Sequence, residues 1–200
     1  MKIKRSLLPI LKNDLIKTNK GLVIYGPRQV GKTTLVNDLL YEFKFKTLIL
    51  NGDQRGSWWE LLTSRELSKL TLLTSGYDVI FIDEAQRIPE IGLSVKILLD
   101  NFPKLKVILT GSSSLDLASK ISEPLTGRIY SYKLFPISQA ELAALYTPYE
   151  LETQIEERLV YGSYPEIFSL PGIQDKTKYL QNLTDTYLYK DLLEFGDIRN

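Results

Sequence analysis

Leu22-Val23-Ile24-Tyr25-Gly26-Pro27-Arg28-Gln29-Val30-Gly31-Lys32-Thr33-Thr34-Leu35 is the stretch whose reading decides the fold. A short apolar run enters a glycine loop. The loop ends in Lys-Thr, where a helical pattern opens. The spacing G-x-x-x-x-G-K-T is that of a phosphate-binding loop. Glycine at 26 and 31 permits backbone angles that other residues resist, so successive N–H groups turn inward as an anion nest. The helix beginning near Lys32 adds its positive end. Lys32 supplies a point charge for β- and γ-phosphates, and the Thr33 hydroxyl is a ligand for Mg²⁺. The expected cradle is therefore Gly26, Pro27, Arg28, Gln29, Val30, Gly31, Lys32, Thr33 and Thr34.

A second stretch belongs with the first. Tyr77-Asp78-Val79-Ile80-Phe81-Ile82-Asp83-Glu84 places four consecutive apolar residues before two carboxylates. An unalternating apolar run reads as a strand buried on both faces of a parallel sheet. Ligands of open α/β sheets bind at the carboxyl ends of the strands. Asp83 fits a second Mg²⁺ ligand there, and Glu84 fits a base aimed at an attacking water. Lys106–Thr110 is a further apolar strand, and it runs into Gly111-Ser112-Ser113-Ser114. Ser112 or Thr110 would reach the γ-phosphate or the water from that strand, although Gly-Ser-Ser-Ser is also turn composition.

Composition narrows the chemistry. The 200 residues include no Cys and no His. That excludes disulfides, Cys/His metal centres and imidazole or thiolate catalysis. A general base must then be a carboxylate, Lys or Tyr, and any metal a hard, oxygen-liganded ion. A formal net charge of +1 argues against whole-surface attraction to nucleic acid. No apolar run reaches membrane-spanning length, so the expected location is the cytoplasm, with no membrane partner.

The remaining elements follow in order. Residues 1–20 read as an amphipathic, locally basic helix with Leu7, Leu8, Ile10, Leu11, Leu15 and Ile16 on its apolar side. Further helices are expected at Lys32–Phe43, 57–74 and Glu90–Phe102, with strands at Thr47–Asn51 and Ile129–Leu134. Trp58 and Trp59 read as packing residues rather than a base-stacking platform. Leu115–Ser119 reads as a short helix. Ser138 with Glu141 forms a capping box. From Glu150 strand signals stop, and Leu151–Tyr161 and Asp175–Phe195 read as Tyr-rich helices. The expected architecture is α/β: a five-stranded parallel sheet sandwiched by helices in a core of residues 1–147, followed by a helical lid over 148–200.

Taken together, Gly26–Leu35, Phe81-Ile-Asp-Glu-Ala-Gln-Arg-Ile-Pro89, Leu109–Ser114, Leu125-Thr-Gly-Arg128, Leu134–Ser138 and Tyr161–Glu166 resemble a prokaryotic family of AAA-type P-loop ATPases. The resemblance implies the ASCE/AAA strand order 5-1-4-3-2, ATP and Mg²⁺ as cofactors, and adenine rather than guanine. It implies Walker A roles for Lys32 and Thr33 and Walker B roles for Asp83 and Glu84. Ser112 lies near the sensor position, with Thr110 and Ser113 as alternatives. Arg128 matches a Gly-Arg element that reaches a phosphate in cis or in a neighbouring subunit, which makes self-association through Arg128 an expectation. Asn51 resembles the polar residue that holds the catalytic Glu inactive in ring ATPases. The family also implies a further C-terminal domain, and with it a protein or DNA partner. The function expected is Mg²⁺-dependent ATP hydrolysis that drives or gates an effector. The alternative is a slow-turnover, ATP-binding switch acting on a nucleic-acid or protein partner.

Overall fold

A computed structural model of the chain describes residues 3–112 and 124–188. They divide into two units, one of residues 5–27 and 31–135, the other of residues 3–4, 28–30 and 136–188.

The larger unit is built on a five-stranded, all-parallel sheet. The strands are β1 (Gly21–Tyr25), β2 (Thr47–Asn51), β3 (Val79–Asp83), β4 (Lys106–Gly111) and β5 (Ile129–Lys133), in the spatial order β2-β3-β4-β1-β5. This is the expected order. Every residue of β3, and all but the first of β4, is buried, as an unalternating apolar run requires when helices cover both faces. β2 and β5 are edges, and apart from the buried Leu50 their side chains are partly covered or exposed. The helices are α1 (Leu8–Lys17), α2 (Lys32–Phe43), α3 (Trp58–Thr63), α4 (Leu67–Thr74) and α5 (Ile91–Asn101). The main core joins Val23, Ile80, Ile82, Val107 and Leu109 of the sheet to Leu62, Leu70, Val95 and Leu98 of the helices. Trp58 and Trp59 pack against it, as expected.

Two elements of this unit differ from expectation. The N-terminal helix is α1 alone, not residues 1–20. Pro9 suits only a first helical turn, so the helix starts there, and of the apolar set only Leu11 and Leu15 are buried within it. The expected 57–74 helix is two, interrupted where Arg65 turns to φ 60°. The short helix expected at Leu115–Ser119 lies outside the described residues.

The smaller unit holds short helices α6 (Gln139–Leu142), α7 (Pro148–Thr153), α8 (Ile155–Tyr161) and α9 (Ile173–Leu183). Ser138 and Glu141 make the expected capping box. Thr147 and Glu150 make a second one, which starts the next helix at Pro148. Those hydrogen bonds from Thr147 hold the Glu150 carboxyl below its ordinary pKa. The helix expected at Leu151–Tyr161 is thereby extended backward and broken at Gln154. A small core of Ile137, Leu142 and Leu151 gathers Ile3, Tyr146 and Phe168. The last expected helix runs over Ile173–Leu183 and widens at Thr184–Leu188; its remainder lies outside the described residues.

Candidate functional site

β1 lies between β4 and β5, and the chain leaves it for β2 on the far side of β3. That reversal opens a crevice at the carboxyl ends of β1 and β4, where such sheets bind ligands. The loop 26–31 follows β1, and Gly111-Ser112 closes β4. Register pairs Tyr25 with Gly111, so both loops leave the sheet at one level.

Gly26 is required by close approach. A Cβ there would stand 2.2 Å from the Leu134 carbonyl oxygen, on the residue whose N–H donates to Tyr25 O at 2.8 Å. Gly31 caps α2 at φ 95°, ψ 27°, a left-handed conformation that glycine adopts without Cβ strain. Gln29 is also left-handed, at φ 60°. Lys32 opens α2 and is 6% exposed; its Nζ donates to Gly26 O at 3.0 Å and Pro27 O at 2.8 Å. The ammonium thus sits on the carbonyls of the loop it serves.

Asp83 is the hub. Ile82 pairs with Leu109, so the next residues, Asp83 and Thr110, meet at the end of β3 and β4. The Asp83 carboxylate accepts from Thr33 Oγ1 at 2.8 Å on Oδ2, and from Thr110 Oγ1 and Glu84 N on Oδ1. Thr110 is fully buried and Asp83 9% exposed, so the carboxylate is oriented from its buried side. Thr33, by contrast, is exposed.

The donor set fits Mg²⁺. Thr33 Oγ1 and Asp83 Oδ2 are two hard oxygens 2.8 Å apart. Adjacent ligands of an octahedral Mg²⁺ at 2.0–2.1 Å stand about 2.9 Å apart. Among the described residues no group of three or more acidic, His or Cys side chains forms a protein-only metal cage. A magnesium shared with substrate phosphates needs none, because phosphate oxygens and water complete its shell.

Glu84 follows in a left-handed conformation, φ 50°, ψ 44°, and a 3₁₀ turn covers Ala85–Arg87. Gly52 presses on this corner. Its N–H donates to Asp83 O at 2.8 Å, and a Cβ on it would come within 2.3 Å of Glu84 O. The turn carries Gln86 back over the site, where Gln86 Nε2 donates to Glu84 Oε2 at 2.5 Å and to Ser112 Oγ at 2.9 Å. Asn51 does not take the expected part. Its Oδ1 accepts from Asp53 N at 2.9 Å, and Gln86 is the residue on the Glu84 carboxylate.

The structure therefore brings Lys32, Thr33, Asp83, Glu84, Thr110 and Ser112 to one edge. It does not bring Arg128 there. Arg128 precedes β5, and its carbonyl accepts from Gly21 N at the start of β1. In a parallel sheet that is the opposite edge, roughly 16 Å away along the five residues of the strand. Arg128 Nε and Nη2 grip Asp100 at 2.7 and 3.2 Å, a pairing that lowers the Asp100 pKa and raises that of Arg128. The expected contact with a phosphate in cis is corrected: the side chain faces another partner at the wrong end of the strand. Ser113 lies outside the described residues. Gln86, Gly52 and the Thr110–Asp83 bond were not foreseen as site features. The one written signal was Gln86 itself, two residues after Glu84.

A nucleotide loop at a β1/β4 switch point, an acidic hub on β3 and this strand order define a P-loop ATPase fold. The sequence matches the AAA domain family over residues 18–143, and the chain belongs to that family. An uncharacterized protein of Methanocaldococcus jannaschii is 28% identical over 195 residues, covering 91% of this chain and 44% of that protein. An uncharacterized protein of Mycobacterium tuberculosis is 29% identical over 181 residues, covering 88% and 36%. The chain thus spans less than half the length of these curated relatives. Among solved structures, the Walker-type ATPase of Pyrococcus abyssi superposes with a TM-score of 0.64 at 19% identity, covering 99% of this chain and 77% of that one. DnaA from Aquifex aeolicus, bound to AMPPCP, gives 0.50 at 13% identity, covering 91% and 64%. Among the described residues no helix is long and apolar enough to cross a membrane.

Proposed function

We propose that this domain binds ATP with Mg²⁺ in the 26–34 loop and hydrolyses it, and that hydrolysis drives or gates an effector or partner. The observation that carries the reading is the convergence on Asp83: an exposed Thr33 hydroxyl from the loop helix and a buried Thr110 hydroxyl from β4 fix one carboxylate beside Glu84. Thr33 and Asp83 would hold Mg²⁺. When bound, the ion neutralises charge on the β- and γ-phosphates.

The chain's own residues supply the rest. Loop amides bind the phosphates. Lys32 exchanges its two loop carbonyls for phosphate oxygens, replacing neutral acceptors by charged ones. Glu84 takes a proton from water as its oxygen bonds to the γ-phosphorus. The bond to the bridging oxygen breaks, and its electron pair leaves on ADP. With no His or Cys in the chain, a carboxylate is the fitting base.

Glu84→Gln tests this. The variant keeps shape but cannot accept the proton. ATP turnover should fall by about 10²–10⁴-fold while ATP remains bound. Turnover equal to wild type would remove Glu84 from the role of base.

A further inference from the structure

The geometry points to Gln86 as a positioning residue that aims Glu84 and Ser112 together through one amide nitrogen. This rests on the ATP-hydrolysis reading and adds a residue to it.

A carboxylate only accepts hydrogen bonds, so the Gln86 atom facing Glu84 must be the amide nitrogen. That nitrogen carries two hydrogens. One goes to Glu84 Oε2 at 2.5 Å and the other to Ser112 Oγ at 2.9 Å. The first is a charge-assisted bond, the stronger kind. Two consequences follow. With Oε2 engaged, Oε1 is the oxygen left to accept from water. With Oγ accepting from Gln86, the Ser112 hydroxyl hydrogen is turned outward as a donor, the polarity that a phosphate oxygen needs. A γ-phosphate drawing on Ser112 therefore acts on the same nitrogen that orients the base.

The amide is held rigidly enough to do this. Gln86 is 5% exposed, on a 3₁₀ turn whose neighbours Ala85 and Ile88 are fully buried. Arg87 N donates to Glu84 O at 3.0 Å, which closes the turn. The left-handed backbone at Glu84 is strained in a non-glycine residue. It is that reversal which places a side chain two residues later beside the carboxylate.

The test uses the full chain and separates this inference from the reading beneath it. Gln86→Met keeps the volume and drops both donors. It should lower kcat by about 10–100-fold, with affinity for a non-hydrolysable ATP analogue within about threefold of wild type. Ser112→Ala should show a smaller loss in kcat, and the double variant should lose much less than the product of the two, because both act through one amide. A Gln86→Met enzyme with wild-type or higher kcat overturns the inference, as does a loss of kcat matched by loss of analogue affinity, or additive effects of the two substitutions. Glu84→Gln run alongside decides which idea fails. If Glu84→Gln is inactive and Gln86→Met is unimpaired, only the role of Gln86 falls. If Glu84→Gln turns over normally, the base assignment falls and this inference with it.

Discussion

The two edges of the parallel sheet use the same side-chain types in opposite ways. At the carboxyl edge Asp83 is shared by three donors and nearly buried. At the amino edge Asp100 is shared by the two nitrogens of Arg128 and stands partly in solvent. Lys32 at one edge rests on loop carbonyls beside a phosphate cradle. Lys106 at the other donates to Thr18 O at 2.7 Å, and partial burial lowers its pKa. One edge is organised around atoms that a ligand can claim. The other is organised around closing the fold, because loops at both ends of five strands must be tied somewhere. Residue type alone does not separate the two; the end of the strand does.

The sharpest test applies one substitution to both edges. Asp83→Asn should cost ATP turnover about a thousandfold, since several kcal/mol of charge stabilisation go with the carboxylate. Asp100→Asn should leave turnover within about twofold. Steady-state kinetics on the two variants checks both halves. Similar losses would mean that the edges are not functionally distinct.

Glycine offers the next contrast. A Cβ at Gly52 would lie 2.3 Å from the Glu84 carbonyl oxygen, so backbone must move. Gly52→Ala should destabilise by about 1–3 kcal/mol and cost about 10-fold or more in kcat, because the displaced residue carries the base. At Gly21, on the amino edge, the nearest atoms would be Ile129 Cγ2 and Leu99 Cδ1, each at 3.4 Å. Those are side-chain tips that can give. Gly21→Ala should cost less than about 1 kcal/mol and leave kcat unchanged. Thermal melts with kinetics on each variant decide this. Equal effects at the two glycines would show that close backbone packing at Gly52 does not set the site.

What the sequence made legible follows the same division. Strand identity is readable because β1, β3 and β4 are unbroken apolar runs and the Gly-Lys-Thr spacing names the strand that the loop follows; the strand order is implied only by the family resemblance. Lys32, Thr33, Asp83 and Ser112 fall at the right edge because each ends or follows its strand. For Arg128 only the contact in cis fails, because an arginine before a parallel strand, here Ile129–Lys133, belongs to the amino edge. Gln86 carries no such signal. Its bond to Glu84 depends on a left-handed turn at a non-glycine residue, which has no pattern in the sequence. Gly52 was hidden for a related reason, since its constraint comes from Glu84, 32 residues away. The capping box at Thr147–Glu150, by contrast, was written plainly and sets a helix start three residues earlier than the apolar pattern implied.

The smallest effect expected is at Arg128, and it carries the most information about assembly. Within one chain Arg128 faces Asp100, so Arg128→Ala should leave turnover at low protein concentration within about twofold. The pair should appear instead in stability, weakly, because both groups are solvent-screened. The sign is determined by Asp100. Its folded pKa lies below its ordinary value of 3.8, chiefly through the Arg128 hydrogen bond. The pair's contribution is therefore present above about pH 4 and is lost as pH falls below it. The difference in Tm between wild type and Arg128→Ala should be small near pH 7 and shrink as pH falls below the ordinary Asp value of 3.8. If it does not shrink, the ion pair is not its source. Measuring turnover against protein concentration completes the test. A specific activity that climbs with concentration in wild type but stays flat in Arg128→Ala would mean that the amino edge of one copy serves the carboxyl edge of another. The two edges would then be halves of one site rather than opposites.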